Sequence, residues 1–182
     1  MNPINTILIL LAAFVAVFLQ AACGTRGSLG AQIDLLPALV VYASLTGGLT
    51  TVALLAVGGG LAFDALSANP LGISMLPLFG IGFLIHRQRE FILRDQLFAQ
   101  FILGLAASAA APLLTLLLLF TGGHAPFVGW GTLWQWLVMS LGGGLVTPVM
   151  FRLFAFIRGA FFYRPLTETS FRPDRQIRRG RF

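Results

Sequence analysis

Residues 96–151 read QLFAQFILGLAASAAAPLLTLLLLFTGGHAPFVGWGTLWQWLVMSLGGGLVTPVMF, a run without one formal charge and with His124 as its single titratable group. A hydrocarbon crossing takes about 20 predominantly apolar residues, so this stretch holds two crossings and the connection between them. Three more charge-free runs lie upstream, at residues 1–25, 35–63 and 65–85. Together the runs divide into six helical segments: Ile4–Ala22, Leu35–Leu45, Leu49–Leu66, Leu71–Ile85, Gln96–Phe120 and Trp130–Ile157. No stretch alternates with the period of a strand, which excludes a barrel, and in lipid a backbone outside a barrel must satisfy itself as helix. The expected fold is an all-α integral membrane protein, a six-transmembrane-helix bundle.

Composition agrees. The 182 residues are 57% apolar and 10% charged, against roughly 25% charged in an ordinary globular domain, and mean hydropathy is +0.88. In water that much apolar surface would form patches that soluble monomers rarely tolerate. A soluble enzyme and a disordered chain are excluded. The single cysteine excludes an internal disulfide framework.

The second segment is short, and Thr46-Gly47-Gly48 separates it from the third by only a turn's width. It reads either as a short tilted helix in a tight hairpin or as part of one long bent crossing. Charge bias favours six crossings over five. Net charge is +6, and all twelve cations are arginine. Arg87, Arg89 and Arg94 follow the fourth segment, and seven arginines from Arg158 to Arg181 follow the sixth. The positive-inside rule puts both places in the cytoplasm, with six crossings placing the N-terminus there too. The chain is thus read as a transmembrane domain over residues 1–158 and an Arg-rich cytoplasmic tail over residues 159–182. The first segment is read as a retained helix. Leu19-Gln20-Ala21-Ala22-Cys23 resembles a lipoprotein cleavage site, but the start lacks a positive region and the apolar body is long for a signal peptide.

Glycine is concentrated in two triplets, Gly58-Gly59-Gly60 in the third segment and Gly142-Gly143-Gly144 in the sixth. Small residues let membrane helices approach closely, and Gly104/Ser108 and Ser140/Gly144 have the spacing for it. The triplets are expected to interrupt their helices. They serve close packing within the chain, a face for a partner's helix, or a hinge, because consecutive glycines weaken a helix. Trp130, Trp134 and Trp136 mark an interfacial belt. Asp34 with Pro37 reads as a helix cap followed by a first-turn proline. Pro112 and Pro148 are expected to kink their helices.

Groups for chemistry are sparse. His86 and His124 fall on opposite membrane faces and cannot share a metal. No histidine lies inside a segment to activate a serine, and Asp64 is the one carboxylate within an apolar run. A non-catalytic protein is read, with no metal or cofactor. Asp64 is expensive in the membrane unless it faces protein or water. It reads either as a solvent-reaching helix end or as a buried contact that organises a helix junction or a partner surface. The basic tail reads as a solvated topology determinant near anionic lipid, not as a nucleic-acid binder.

Three stretches resemble the rod shape-determining protein MreD family. They are Ile33-Asp34-Leu35-Leu36-Pro37-Ala38-Leu39-Val40-Val41-Tyr42, then Gly58-Gly59-Gly60-Leu61-Ala62-Phe63-Asp64-Ala65-Leu66-Ser67, then Asn69-Pro70-Leu71-Gly72. In that family a glycine-rich helix ends in an Asp-Leu-Ser type of turn followed by Pro-Leu-Gly. Pro37 and the long Arg-rich tail are not expected in every member.

The resemblance implies a non-catalytic multi-pass subunit of the bacterial inner membrane, within the cell-elongation (rod) complex. Such a protein would bind the bitopic scaffold MreC as its main partner. It would help couple the MreB filament to the RodA glycosyltransferase and its transpeptidase, and so maintain cell shape. Gly58, Gly59, Gly60, Asp64, Ser67, Pro70, Leu71, Gly72, Gly142, Gly143 and Gly144 would hold a partner or the fold, while Arg87, Arg89 and Arg94 face the cytoplasm. The family is similar in fold to the substrate-binding subunits of energy-coupling-factor transporters. The alternative is therefore a subunit of that kind, which would bind a vitamin or metal and dock through a first-helix pair such as Ala12/Ala16. Little polar material is expected in the outer loops to line a ligand pocket.

Overall fold

The computed structural model describes residues 3–22, 30–67, 69–92, 96–123 and 129–161. They form six helices: α1 (Pro3–Ala22), α2 (Leu36–Thr46), α3 (Leu49–Leu66), α4 (Met75–Gln88), α5 (Leu97–Thr121) and α6 (Trp130–Phe161). No strand occurs among the described residues.

Four of these helices, α1, α3, α5 and α6, are long and apolar enough to cross a membrane. That supports a multi-pass membrane protein, and the second segment is as short in the structure as in the sequence. The 11 residues of α2 and the 14 of α4 reach only ~16 and ~21 Å at 1.5 Å per residue, short of a ~30 Å hydrocarbon core. The 32 residues of α6 extend ~48 Å by the same rise.

Helix α2 is the hub. Every residue from Leu36 to Leu45 is buried, and each of the other five helices packs on it. One cluster joins Ile9, Ala13, Ala16 and Val17 of α1 to Leu36, Leu39 and Tyr42 of α2, and to Val52 and Leu55 of α3. The Tyr42 ring stacks on Phe154 at 4.2 Å and meets Phe151 edge-on at 5.0 Å. A second cluster joins Val41 and Leu45 to Ile81, Ala107 and Ala111. A helix apolar on all sides is stable where protein surrounds it. The outer surface is apolar as well. Ile7, Leu11, Phe14 and Phe18 form an exposed stripe on α1, and Leu137, Leu141, Leu145 and Val149 form one on α6. Lipid, not water, suits such faces.

Consecutive helices run antiparallel. At one end, here the arginine end, Thr6 bonds Thr51 at 3.0 Å and His86 Nδ1 lies 3.1 Å from the Ser44 carbonyl. At the other, the tryptophan end, Gln20 donates to Asp34 at 3.0 Å and Gln135 pairs with Gln32. Because α2 and α3 pack on each other as separate helices around Gly47 and Gly48, the bent single crossing is excluded.

Two expectations are corrected. The glycine triplets do not interrupt their helices, since α3 and α6 run through them. The fourth helix begins at Met75 and not Leu71, because Gly72 takes a φ of +90° that no helix accommodates.

Candidate functional site

The junction between α3 and α4 is built on Asp64. Its carboxylate is 1% exposed. One oxygen accepts the Gly72 N–H at 2.9 Å and the Ser74 N–H at 3.1 Å; the other accepts the Ser74 hydroxyl at 2.5 Å. These donors open α4, where helical N–H groups have no partner within the helix, and an anion there also opposes the helix dipole. The intervening chain turns tightly. Ser67 donates its N–H to the Asp64 carbonyl, Asn69 donates to Ser67 Oγ, and Ile73 donates to the Pro70 carbonyl across Leu71 and Gly72. Glycine is needed at position 72 for the positive φ of that turn. Asp64 is thus a buried organiser of the helix junction, and the solvent-reaching reading is excluded.

The glycines divide by what they face. A Cβ on Gly59 would lie 3.0 Å from Leu36, and one on Gly60 would lie 3.1 Å from the Met75 backbone. Both let α3 seat the first residues of α2 and α4. Gly58 points outward with nothing within 4 Å. On α6, Gly142 lies against Ile33, Gly143 against Ser108 and Gly104, and Gly144 against Phe101 and Leu105. The two triplets therefore serve different contacts. Close packing within the chain explains five of the six glycines, and a hinge is not what the unbroken helices show.

The tryptophan end is hollow. Helix α2 fills only about half of a bilayer's thickness, and two adjoining cavities lie about its first residues. One, of about 620 Å3, is lined by Gln20, Gln32, Asp34, Ser67, Asn69 and Gln135 among others. The other, of about 450 Å3, is mostly apolar, with Leu78, Leu116, Leu133, Trp136 and Met139 in its wall. Asp34, Phe63, Asn69, Gln135 and Met139 line both. The expectation of little polar material for a pocket is corrected here. The cap residue of α2 is Leu35 and not Asp34, which lies one residue earlier and accepts the Leu36 N–H through Oδ1 at 2.9 Å, while Pro37 sits in the first turn as expected. Burial pushes the Asp34 carboxyl above the ordinary range, with the bonds from Leu36 and Gln20 opposing.

Arg87 and Arg89 lie at the opposite end. Arg87 is exposed, and Arg89 reaches the Gly47 carbonyl at 3.4 Å. Arg94, Arg26, His124 and the Arg-rich tail lie outside the described residues. Of the three tryptophans expected in a belt, Trp130 and Trp134 are exposed, whereas Trp136 turns inward and donates to the Ala109 carbonyl at 2.9 Å. Ala16 is 4% exposed in the core, so the Ala12/Ala16 pair is no outward docking face.

Gln20, Gln32, Gln135 and Gly82 were not singled out from sequence. An isolated amide in a long apolar run was the available signal for Gln20 and Gln135. Gly82 had none, since only the fold shows that its Cβ would meet Val52 and Val40. No family model, curated protein or solved structure matches the chain.

Proposed function

We propose that this chain is a non-catalytic inner-membrane subunit of a bacterial cell-elongation complex, similar to the MreD family, that binds MreC and helps couple MreB to RodA and its transpeptidase. One observation carries the reading. The stretches that bear the resemblance, distant in sequence, fold as a single unit: Leu36 packs on Gly59, Asp64 clamps Gly72 and Ser74, and Asp34, Phe63 and Asn69 line one cavity. In this reading both termini are cytoplasmic and α2 and α4 complete six crossings. The loop holding Arg87, Arg89 and Arg94 and the tail then face MreB or anionic lipid. The partner's helix takes the outward face of α3, where Gly58 is flanked by exposed Leu54 and Leu61 and lets another backbone approach.

The test is affinity purification of the C-terminally tagged chain in mild detergent, with mass spectrometry of what is retained. Recovery of a bitopic protein with a large extracytoplasmic domain is expected, and Gly58→Leu should abolish it without unfolding the subunit. Recovery of ATPase subunits with a coupling membrane protein would instead establish a transporter subunit of the energy-coupling-factor kind.

A further inference from the structure

The cavities at the tryptophan end carry chemistry that a scaffold does not require. Asp34 is 8% exposed, and both of its donors, Leu36 N–H and Gln20 Nε2, bond the same oxygen, Oδ1. Among the described residues nothing bonds Oδ2. Gln20 is also 8% exposed, and its Oε1 is buried without a hydrogen-bond partner. A buried acceptor left unpaired is costly, so Gln20 Oε1 at this wall calls for a donor, and Asp34 Oδ2 stands beside it. The amides of Gln32 and Gln135 are spent elsewhere: Gln135 bonds both the N–H and the carbonyl of Gln32, and Gln32 Nε2 bonds the Gln20 carbonyl.

The sign of the charge follows. The described cations lie towards the arginine end, on α4 and the later half of α6. Asp34 is the ionisable side chain among the described residues of this wall, and the N-terminus of α2 offers its ionised form about +0.5 of a charge at most. The wall therefore favours a cation. A cation small enough to be solvated by acceptors alone would need no second compartment, yet an apolar cavity of about 450 Å3 adjoins the polar one and shares five wall residues with it.

We propose that the joined cavities bind an organic ammonium group carried on an apolar body. The ammonium is held by Asp34 Oδ2 and Gln20 Oε1, and the body lies among Phe63, Leu116 and Met139. Burial already raises the Asp34 carboxyl, and a cation against it removes that penalty. The site stands independently of the scaffold reading. Its natural ligand is either a free amine or the headgroup of an aminophospholipid, two sources of the same chemistry.

The test uses the full chain in phosphatidylglycerol nanodiscs and isothermal titration with phenethylamine, 2-phenylethanol and 3-phenylpropionate. Saturable binding of phenethylamine is expected, with the alcohol about tenfold or more weaker and the acid not bound, since a hydrogen bond to a charged group is worth about 1.5–3 kcal/mol. Asp34→Asn keeps an acceptor for the Leu36 N–H and should weaken phenethylamine by a similar factor. Leu116→Trp fills the apolar compartment and should abolish binding with Asp34 intact; if Asp34→Asn fails to fold, this variant decides. Absence of saturable phenethylamine binding, equal binding of the acid, or unchanged binding in either folded variant would overturn the site. Repeating the titration with phosphatidylethanolamine in the disc separates the sources: competition identifies the lipid headgroup, and its absence a free amine.

Discussion

Replacing Gly104 by alanine tests the α5–α6 crossing, the most extensive helix contact in the protein. An ideal Cβ at position 104 would lie 2.7 Å from the Gly143 carbonyl oxygen and closer still to Thr147 Oγ1. Thr147 can rotate, at the loss of its 2.7 Å bond to the Gly143 carbonyl. The carbonyl cannot, because it belongs to α6. Ordinary contact begins at 3.4 Å, so the helices must part by roughly 3.4 − 2.7 = 0.7 Å at this point. Overpacking of this kind costs about 1–3 kcal/mol. Alanine regains up to about 1 kcal/mol of helix propensity, so with the full gain the net loss is at most about 2 kcal/mol. The same substitution at Gly58, where nothing lies within 4 Å, keeps the propensity gain and meets no obstacle. Reversible unfolding in mixed micelles, followed by tryptophan fluorescence, should show a lower midpoint for Gly104→Ala and an equal or higher one for Gly58→Ala. Adding Thr147→Ala to Gly104→Ala should recover part of the loss. Equal midpoints for the two single variants would refute the close crossing.

Asp64→Ala leaves the Gly72 and Ser74 donors without an acceptor and should destabilise by about 3 kcal/mol, with the turn between α3 and α4 newly open to proteolysis. An unchanged unfolding midpoint would contradict the clamp. Ser108→Ala removes a buried hydroxyl that has no partner, so stability in the same assay should hold or rise by up to about 1 kcal/mol. Asp34 provides a pH test in ligand-free protein. Its folded pKa is raised by burial, so the native state binds more protons than the unfolded one. Stability should therefore fall as pH rises from about 3.9 through the raised native value. Asp34→Asn should flatten that slope, and a wild-type midpoint rising across the window would refute the assignment.

Helix positions were legible because charge-free length and apolar content act locally. The starts of α3 and α6 were read to the residue. The start of α4 was missed by four residues, Leu71 against Met75, because a distant carboxylate captures the N–H groups of Gly72 and Ser74 before the helix begins. Asp64 was legible as a site, since a lone carboxylate in an apolar run must find partners, but those partners were not. The cavity at the tryptophan end escaped the sequence reading altogether: Gln20, Asp34, Asn69 and Gln135 lie on four different segments, and no spacing along the chain links them.

Pattern along the chain alone therefore settled that this is an all-helical membrane protein, where its long apolar helices lie, and which end gathers Arg87 and Arg89. Membrane solvation acts on each segment separately, so composition suffices for that. Folding settled that α2 is a short hub buried on every side, that five of the six triplet glycines face inward while Gly58 faces out, and that a hollow remains at the tryptophan end. Those outcomes depend on which surfaces meet. In a chain apolar inside and out, hydropathy cannot distinguish the face that meets lipid from the face that meets protein; only steric fit and the pairing of a few buried polar groups can.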